Sequence, residues 1–104
     1  MFVLELKPGG TVVEPLWEPS VQVRVALTDP GSLGGVLVTG TWLGAFNGTV
    51  SGLTNPAGRI TLTAPAISDN ALTFTVVSLA HPSYEYRPQL NVMTQRVVTR
   101  ADAD

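Results

Sequence analysis

At residues 21–28 the chain reads VQVRVALT, and this stretch decides the fold class. An apolar residue stands at every second position from Val21 to Leu27, and the positions between them hold Gln, Arg, Ala and Thr. Successive side chains of a β-strand point to opposite faces, so this alternation is typical of a strand with one face in a core. The stretch therefore predicts a half-buried antiparallel strand.

Similar alternation on both sides of this strand predicts an all-β protein. Further strands are expected at 36–42, 49–53, 59–64, 72–79 and 91–100. Segments 2–6 and 11–14 are expected to be two short strands or one interrupted strand. Turn residues separate them, at 29–31 (DPG), 47–48 (NG), 55–58 (NPAG) and 68–70 (SDN). The turns are separated by roughly 8 to 14 residues, a spacing that is typical of a sandwich or a small barrel. Val, Thr and Ile, which suit pleated surfaces, supply about a quarter of the chain.

The ends of the chain read less regularly than its middle. Residues 7–20 are rich in Pro and Gly, and residues 1–19 are expected to form an irregular edge segment. Residues 101–104 (ADAD) are expected to fray. The whole chain, residues 1–104, is predicted to be a single domain.

Composition excludes several classes of protein. The net charge is −2, whereas a nucleic-acid binder normally has a basic face. No apolar run reaches the roughly 18 residues of a membrane span. Cysteine is absent and His81 is the one histidine, which excludes disulfides, thiolate catalysis, Cys-based zinc sites and a His cluster within one chain.

No motif predicts catalysis or cofactor binding. His81 follows an apolar strand, and the Gly-x-Ser-x-Gly motif of a nucleophile elbow is missing. The acidic residues are scattered, so they read as surface charge and not as the facing carboxylates of a glycosidase. Asp69 and Asn70 do not resemble a calcium loop. We therefore predict no catalytic residue, no metal and no cofactor.

Aromatic residues are the weak candidates for ligand binding. They are Trp17, Trp42, Tyr84 and Tyr86. If two of these rings were exposed and coplanar they would form a platform for stacking sugars, and otherwise they belong to the core or its rim. Asn47-Gly48-Thr49 matches a glycosylation sequon, and its alternative reading is a turn.

The order of these segments resembles a bacterial immunoglobulin-like module. The resemblance rests on VRVALTD (23–29), VLVTGTW (36–42), GTVS (48–51), TNPAGRITL (54–62), LTFTV (72–76) and HPSYEYRP (81–88). Segment 54–62 is similar to the "T-D-x-x-G-x-A-x-x" turn and strand of that family. Asn55 and Arg87 stand where the family often has Asp, and their lack of a carboxylate disfavours a calcium role.

The resemblance implies a Greek-key sandwich of about seven strands with no chemistry of its own. Such modules occur in invasin- and intimin-type adhesins and beside secreted subtilisin-like proteases. The function it implies is a spacer, stalk or protein-contact domain whose partners are the neighbouring domains of a longer secreted or cell-surface protein. The alternatives are a carbohydrate-binding module that holds an attached enzyme on a polysaccharide, a self-assembling structural subunit and an enzyme. Met1 starts no signal-peptide pattern, so a complete cytoplasmic protein is the alternative localisation.

Overall fold

The chain folds into two antiparallel sheets, which confirms the all-β prediction. A computed structural model describes residues 1–28 and 30–103. Its strands are β1 (Phe2–Val13), β2 (Leu16–Ala26), β3 (Leu37–Gly44), β4 (Gly48–Leu53), β5 (Arg59–Thr63), β6 (Ala71–Ala80) and β7 (Gln95–Thr99). The strand order is β1-β2-β5 in the three-stranded sheet and β4-β3-β6-β7 in the four-stranded sheet, an arrangement consistent with a β-sandwich. No helix within the described residues is long and apolar enough to cross a membrane.

Most of the core consists of alternating strand residues that face the other sheet, and Met1, Val36, Ala64 and Ile67 add to it from outside the strands. Val21, Val23 and Val25 are all buried, as the alternation predicted. Trp42 of β3 and Phe74 of β6 pack edge to face with ring centroids 5.0 Å apart. Buried side chains come from both sheets and extend from the first strand to the last, so the chain builds one continuous core.

The expectation of an irregular segment at 1–19 is wrong. Most of this segment lies in β1 and the start of β2, which form a long hairpin with register from Phe2 opposite Ala26 to Val13 opposite Leu16. Pro8 is tolerated because β1 is an edge strand, where a missing N–H costs little. Gly10 has φ +152°, and a Cβ there would lie 2.5 Å from the Glu18 carbonyl oxygen. The residues that resemble breakers therefore allow close strand pairing at this edge.

The last strand is shorter than the predicted 91–100. Asn91 accepts a 2.7 Å hydrogen bond at Oδ1 from the Val3 N–H, and the Val92 N–H donates to the Val3 carbonyl at 2.9 Å. These bonds tie residues 91–92 to the beginning of β1. Only Gln95–Thr99 is left to pair with β6.

The C-terminal residues are also more ordered than expected. Arg100–Asp102 forms a 3-10 turn, in which the Asp102 carboxylate accepts hydrogen bonds from the N–H and hydroxyl of Thr99. Ala103 packs against the core, and Asp104 lies outside the described residues. This capping box holds the turn at Arg100–Asp102 together.

The predicted turn at 55–58 is confirmed. Asn55 Oδ1 accepts hydrogen bonds from the Ala57 and Arg59 N–H groups, both at 3.0 Å, and Gly58 has φ +80°. This is the use of Asn and Gly that such turns require. The predicted turn at 29–31 cannot be compared in full, because Asp29 lies outside the described residues.

Candidate interaction surface

Both tryptophans lie in the core and present no ring face to a ligand. Trp17 and Trp42 have no exposed surface. The Trp17 indole N–H donates to the Asp69 carbonyl, whereas Trp42 Nε1 is buried without a hydrogen-bond partner. A stacking platform requires exposed rings, so the stacking role considered for these two residues is corrected to a packing role. Sequence alone could not decide this, because a tryptophan near the end of a strand can point into the core or toward solvent.

The tyrosines remain partly accessible near the end of β6. Tyr84 stacks on His81 with ring centroids 4.5 Å apart and an interplanar angle of 29°. Tyr84 also lines a cleft of about 160 Å³ beside Glu85 and Arg87, smaller than the roughly 300 Å³ at which small-molecule pockets begin. The Tyr86 hydroxyl accepts a 2.7 Å hydrogen bond from the Asn91 side chain. Both rings pack against the core, so each serves as a partly buried cap.

The titratable side chains are dispersed. In residues 1–28 and 30–103 no group of three His, Cys, Asp or Glu residues could hold a metal ion. One ion pair connects distant parts of the chain: Arg100 Nη2 lies 2.9 Å from Glu14 Oε1, and Arg100 Nη1 donates to the Pro15 carbonyl at 3.1 Å. This arginine secures the tip of the β1–β2 hairpin to the C-terminal turn. Its Glu14 partner is largely exposed, so the pair contributes little to stability.

The sequon at Asn47 is accessible and also makes a turn. Asn47 accepts from the Gly44 N–H and donates to the Gly44 carbonyl, both at 3.2 Å, in the loop between β3 and β4. Its exposed side chain is thus engaged within the hairpin. The turn reading of Asn47-Gly48 is confirmed.

The most distinctive surface is the outer face of the four-stranded sheet, which we call the charge-free face. It consists of the outward-pointing residues of segments 37–43, 49–53, 71–80 and 95–99, as set by strand register and alternating burial. All of these residues are Thr, Ser, Leu, Val, Ala or Gln. Arg96 is the single charged residue in the four segments, and it pairs with Phe74, whose buried ring points inward.

Large apolar side chains are exposed across this face. Leu43, Leu53, Val77 and Val97 are each more than half exposed, and Leu37 is 39% exposed. Between them lie rows of hydroxyl side chains, since Thr41 is opposite Thr49 on one side and Thr75 on the other. Apolar side chains and hydroxyl groups therefore alternate across the face, and none of them carries a formal charge.

The outer face of the three-stranded sheet differs sharply. Glu5, Arg24 and Arg59 stand directly opposite one another on its three strands, and Lys7 follows on β1. Neither arginine lies within ion-pairing distance of a carboxylate in the described part of the chain. Arg24 and Arg59 carry like charges, and like charges directly opposite each other in a sheet are destabilising. Solvent screens this repulsion, so the face is suited to exposure to water.

Sequence reasoning missed the charge-free face, although a signal for it was present. Segments 37–43, 49–53 and 71–80 contain no Asp, Glu, Lys or Arg, whereas 21–28 and 59–63 each contain an arginine. The strand order is needed as well, because it shows that these segments lie side by side and share a surface. Searches against protein-family models, curated proteins and solved structures found no match to this chain.

Proposed function

We propose that this chain is a non-catalytic, immunoglobulin-like module that acts as a spacer or protein-contact domain of a larger secreted or cell-surface protein. The single continuous core carries the proposal. Buried residues from Val3 of β1 to Val98 of β7 pack together, so the unit completes its core without a neighbouring domain. Autonomous folding is the property that a module must have.

The strand order supports the immunoglobulin-like part of the proposal. Strands β2 and β5 pair in one sheet, β3 and β6 pair in the other, and the connections β2–β3 and β5–β6 both pass between sheets. Immunoglobulin-like sandwiches divide about seven strands between two antiparallel sheets with Greek-key connections. Antibody domains bury a tryptophan on the third strand against a disulfide, and Trp42 is buried at that place in this chain, which has no cysteine.

The shape and surface support a spacer or contact role. The molecule measures 45 × 22 × 19 Å, so a single unit extends more than twice as far along its length as across. The charge-free face offers a broad uncharged surface on which exposed Leu and Val side chains lie among hydroxyls. Clustered exposed apolar side chains are a mark of protein–protein contacts. Polysaccharide binding is the weaker explanation, because Trp17 and Trp42 are buried and the charge-free face contains no aromatic residue.

Autonomous folding tests this proposal. The purified chain should unfold in urea in one cooperative and reversible transition, with near-UV circular dichroism and tryptophan fluorescence giving the same midpoint. Both tryptophans lie in the core, so fluorescence reports directly on the packing of the two sheets. A chain that is unfolded or molten by itself would contradict the module proposal, as would turnover of a hydrolase substrate panel by the folded chain.

A further inference from the structure

We infer that the charge-free face pairs with the same face of a second copy of this chain, forming a weak two-fold homodimer. The inference rests on the proposed contact role and names its partner. It follows from three properties of the face: its lack of charge, its area and its rows of hydroxyl side chains.

The lack of charge restricts which partner the face can accept. A charged partner surface would lose water around its charges on docking and would find no opposite charge on this face, which costs free energy. An uncharged partner surface suffers no such loss. The same face of a second copy meets this requirement, and a two-fold arrangement brings no like charges together.

The area of the face matches the lower limit for specific association. Four strands at ~4.8 Å spacing and the eight residues of β3 at ~3.4 Å rise give a footprint of roughly 500 Å². Two copies would then bury about 1,000 Å² in total, the threshold at which a contact between proteins becomes specific. An interface of this size lies at the low end of the range for protein complexes, where weak and transient contacts are found, so the dimer is expected to form only at high concentration.

The polar groups of the face can be satisfied in such a dimer. The Thr75 hydroxyl already accepts a 3.1 Å hydrogen bond from the Gln95 side chain within the face. Other threonine hydroxyls can donate and accept across the interface or through bridging water. Leu43, Val77 and Val97 supply the apolar contacts, in the manner of two sheets stacked about 10 Å apart.

Sedimentation velocity over about 10 µM to 1 mM chain tests the inference. The wild type should shift from the 11.0 kDa monomer toward a species of twice that mass as concentration rises. Val77→Lys and Val97→Lys should each weaken association at least tenfold, because both copies would bury an unpaired ammonium group. Val13→Lys is the matched control: Val13 and Val97 are 50% and 51% exposed, and Val13 lies at the hairpin end of the other sheet.

The outcomes separate this inference from the proposed function. A wild type that stays monomeric to 1 mM while fully folded would overturn the homodimer and leave the module proposal standing. Association that Val13→Lys weakens as much as Val97→Lys would also overturn it, since the contact would then lie elsewhere. Urea unfolding of each variant identifies any loss of fold. Val77 lies in a β-bulge, since Ser78 is opposite Thr39 and Val76 is opposite Gly40. If Val77→Lys is destabilised because it alters this bulge, Val97→Lys alone decides the test.

Discussion

Gly40→Ala should lower the free energy of unfolding, because the Phe74 ring occupies the space where the new Cβ would lie. Gly40 is buried in the middle of β3, opposite Val76 on β6. A Cβ at this position would collide with the Phe74 ring and would lie 2.9 Å from the Thr75 carbonyl oxygen. The ring is fixed against Trp42 and the carbonyl belongs to the backbone of β6, so neither can move freely.

The cost of Gly40→Ala follows from two opposing effects. Alanine in a strand interior is ordinarily more favourable than glycine by about 0.5–1 kcal/mol, since glycine loses more chain entropy on folding. Overpacking a well-filled core costs about 1–3 kcal/mol and exceeds that gain when backbone must shift. The clash with a backbone carbonyl puts the overpacking cost at the upper end, about 2–3 kcal/mol. Subtracting the gain of about 0.5–1 kcal/mol leaves a net loss of about 1–2.5 kcal/mol. Each kcal/mol corresponds to roughly 4–8 °C in Tm for a domain of this size.

Urea and thermal unfolding measure this cost. The matched control is Gly9→Ala, where the nearest atom to the new Cβ is the Ser20 hydroxyl oxygen at 3.4 Å. Gly9 lies inside β1 with room for a methyl group, so this control should stabilise the fold by about 0.5–1 kcal/mol, the ordinary gain of alanine over glycine. A double-mutant cycle with Phe74→Leu should show a favourable coupling of about 0.5–3 kcal/mol, because the smaller side chain yields space to the new methyl group.

Two results would refute the reasoning. Gly40→Ala equal in stability to the wild type would mean that the ring does not lie over residue 40. Strict additivity of Gly40→Ala and Phe74→Leu would mean that the cost arises from backbone conformation and not from the ring.

Two further substitution pairs test the buried polar groups. Trp17→Phe should destabilise the fold by about 1 kcal/mol more than Trp42→Phe, because only Trp17 loses a hydrogen bond, the one to the Asp69 carbonyl; equal urea midpoints would contradict this. Thr54→Val should cost about 1–3 kcal/mol, because the buried Thr54 hydroxyl donates to the Leu33 carbonyl at 2.6 Å and accepts from the Val36 N–H at 3.0 Å. Thr54→Ser keeps both bonds and should stay nearer the wild type in the same assay.

The fold class and most strands could be predicted from local pattern. The alternation at 21–28 depends only on which face of a strand meets the core, and a twofold period expresses that directly. Asn55 and Gly58 mark their turn because the bonds and the backbone angle involved are local. These features require no knowledge of distant residues.

The misread segments depend on contacts with other segments, which their own local pattern does not show. Residues 91–92 resemble the start of a strand but bond to Val3, about ninety residues away. Gly10 looks like a breaker until the approach of Glu18 across the hairpin is known. Trp17 could be an exposed ligand platform or a core residue, and the Asp69 carbonyl that it contacts decides the matter.

The existence of the charge-free face as one continuous surface depends on the tertiary structure. The sequence determined that β3, β4 and β6 lack charged residues, because composition is local to each segment. Only strand order determined that these segments and β7 share one face, while Arg24 and Arg59 meet on the opposite side of the molecule. The physical reason is that pairing between strands joins residues remote in the chain, and a surface property emerges only after they are joined.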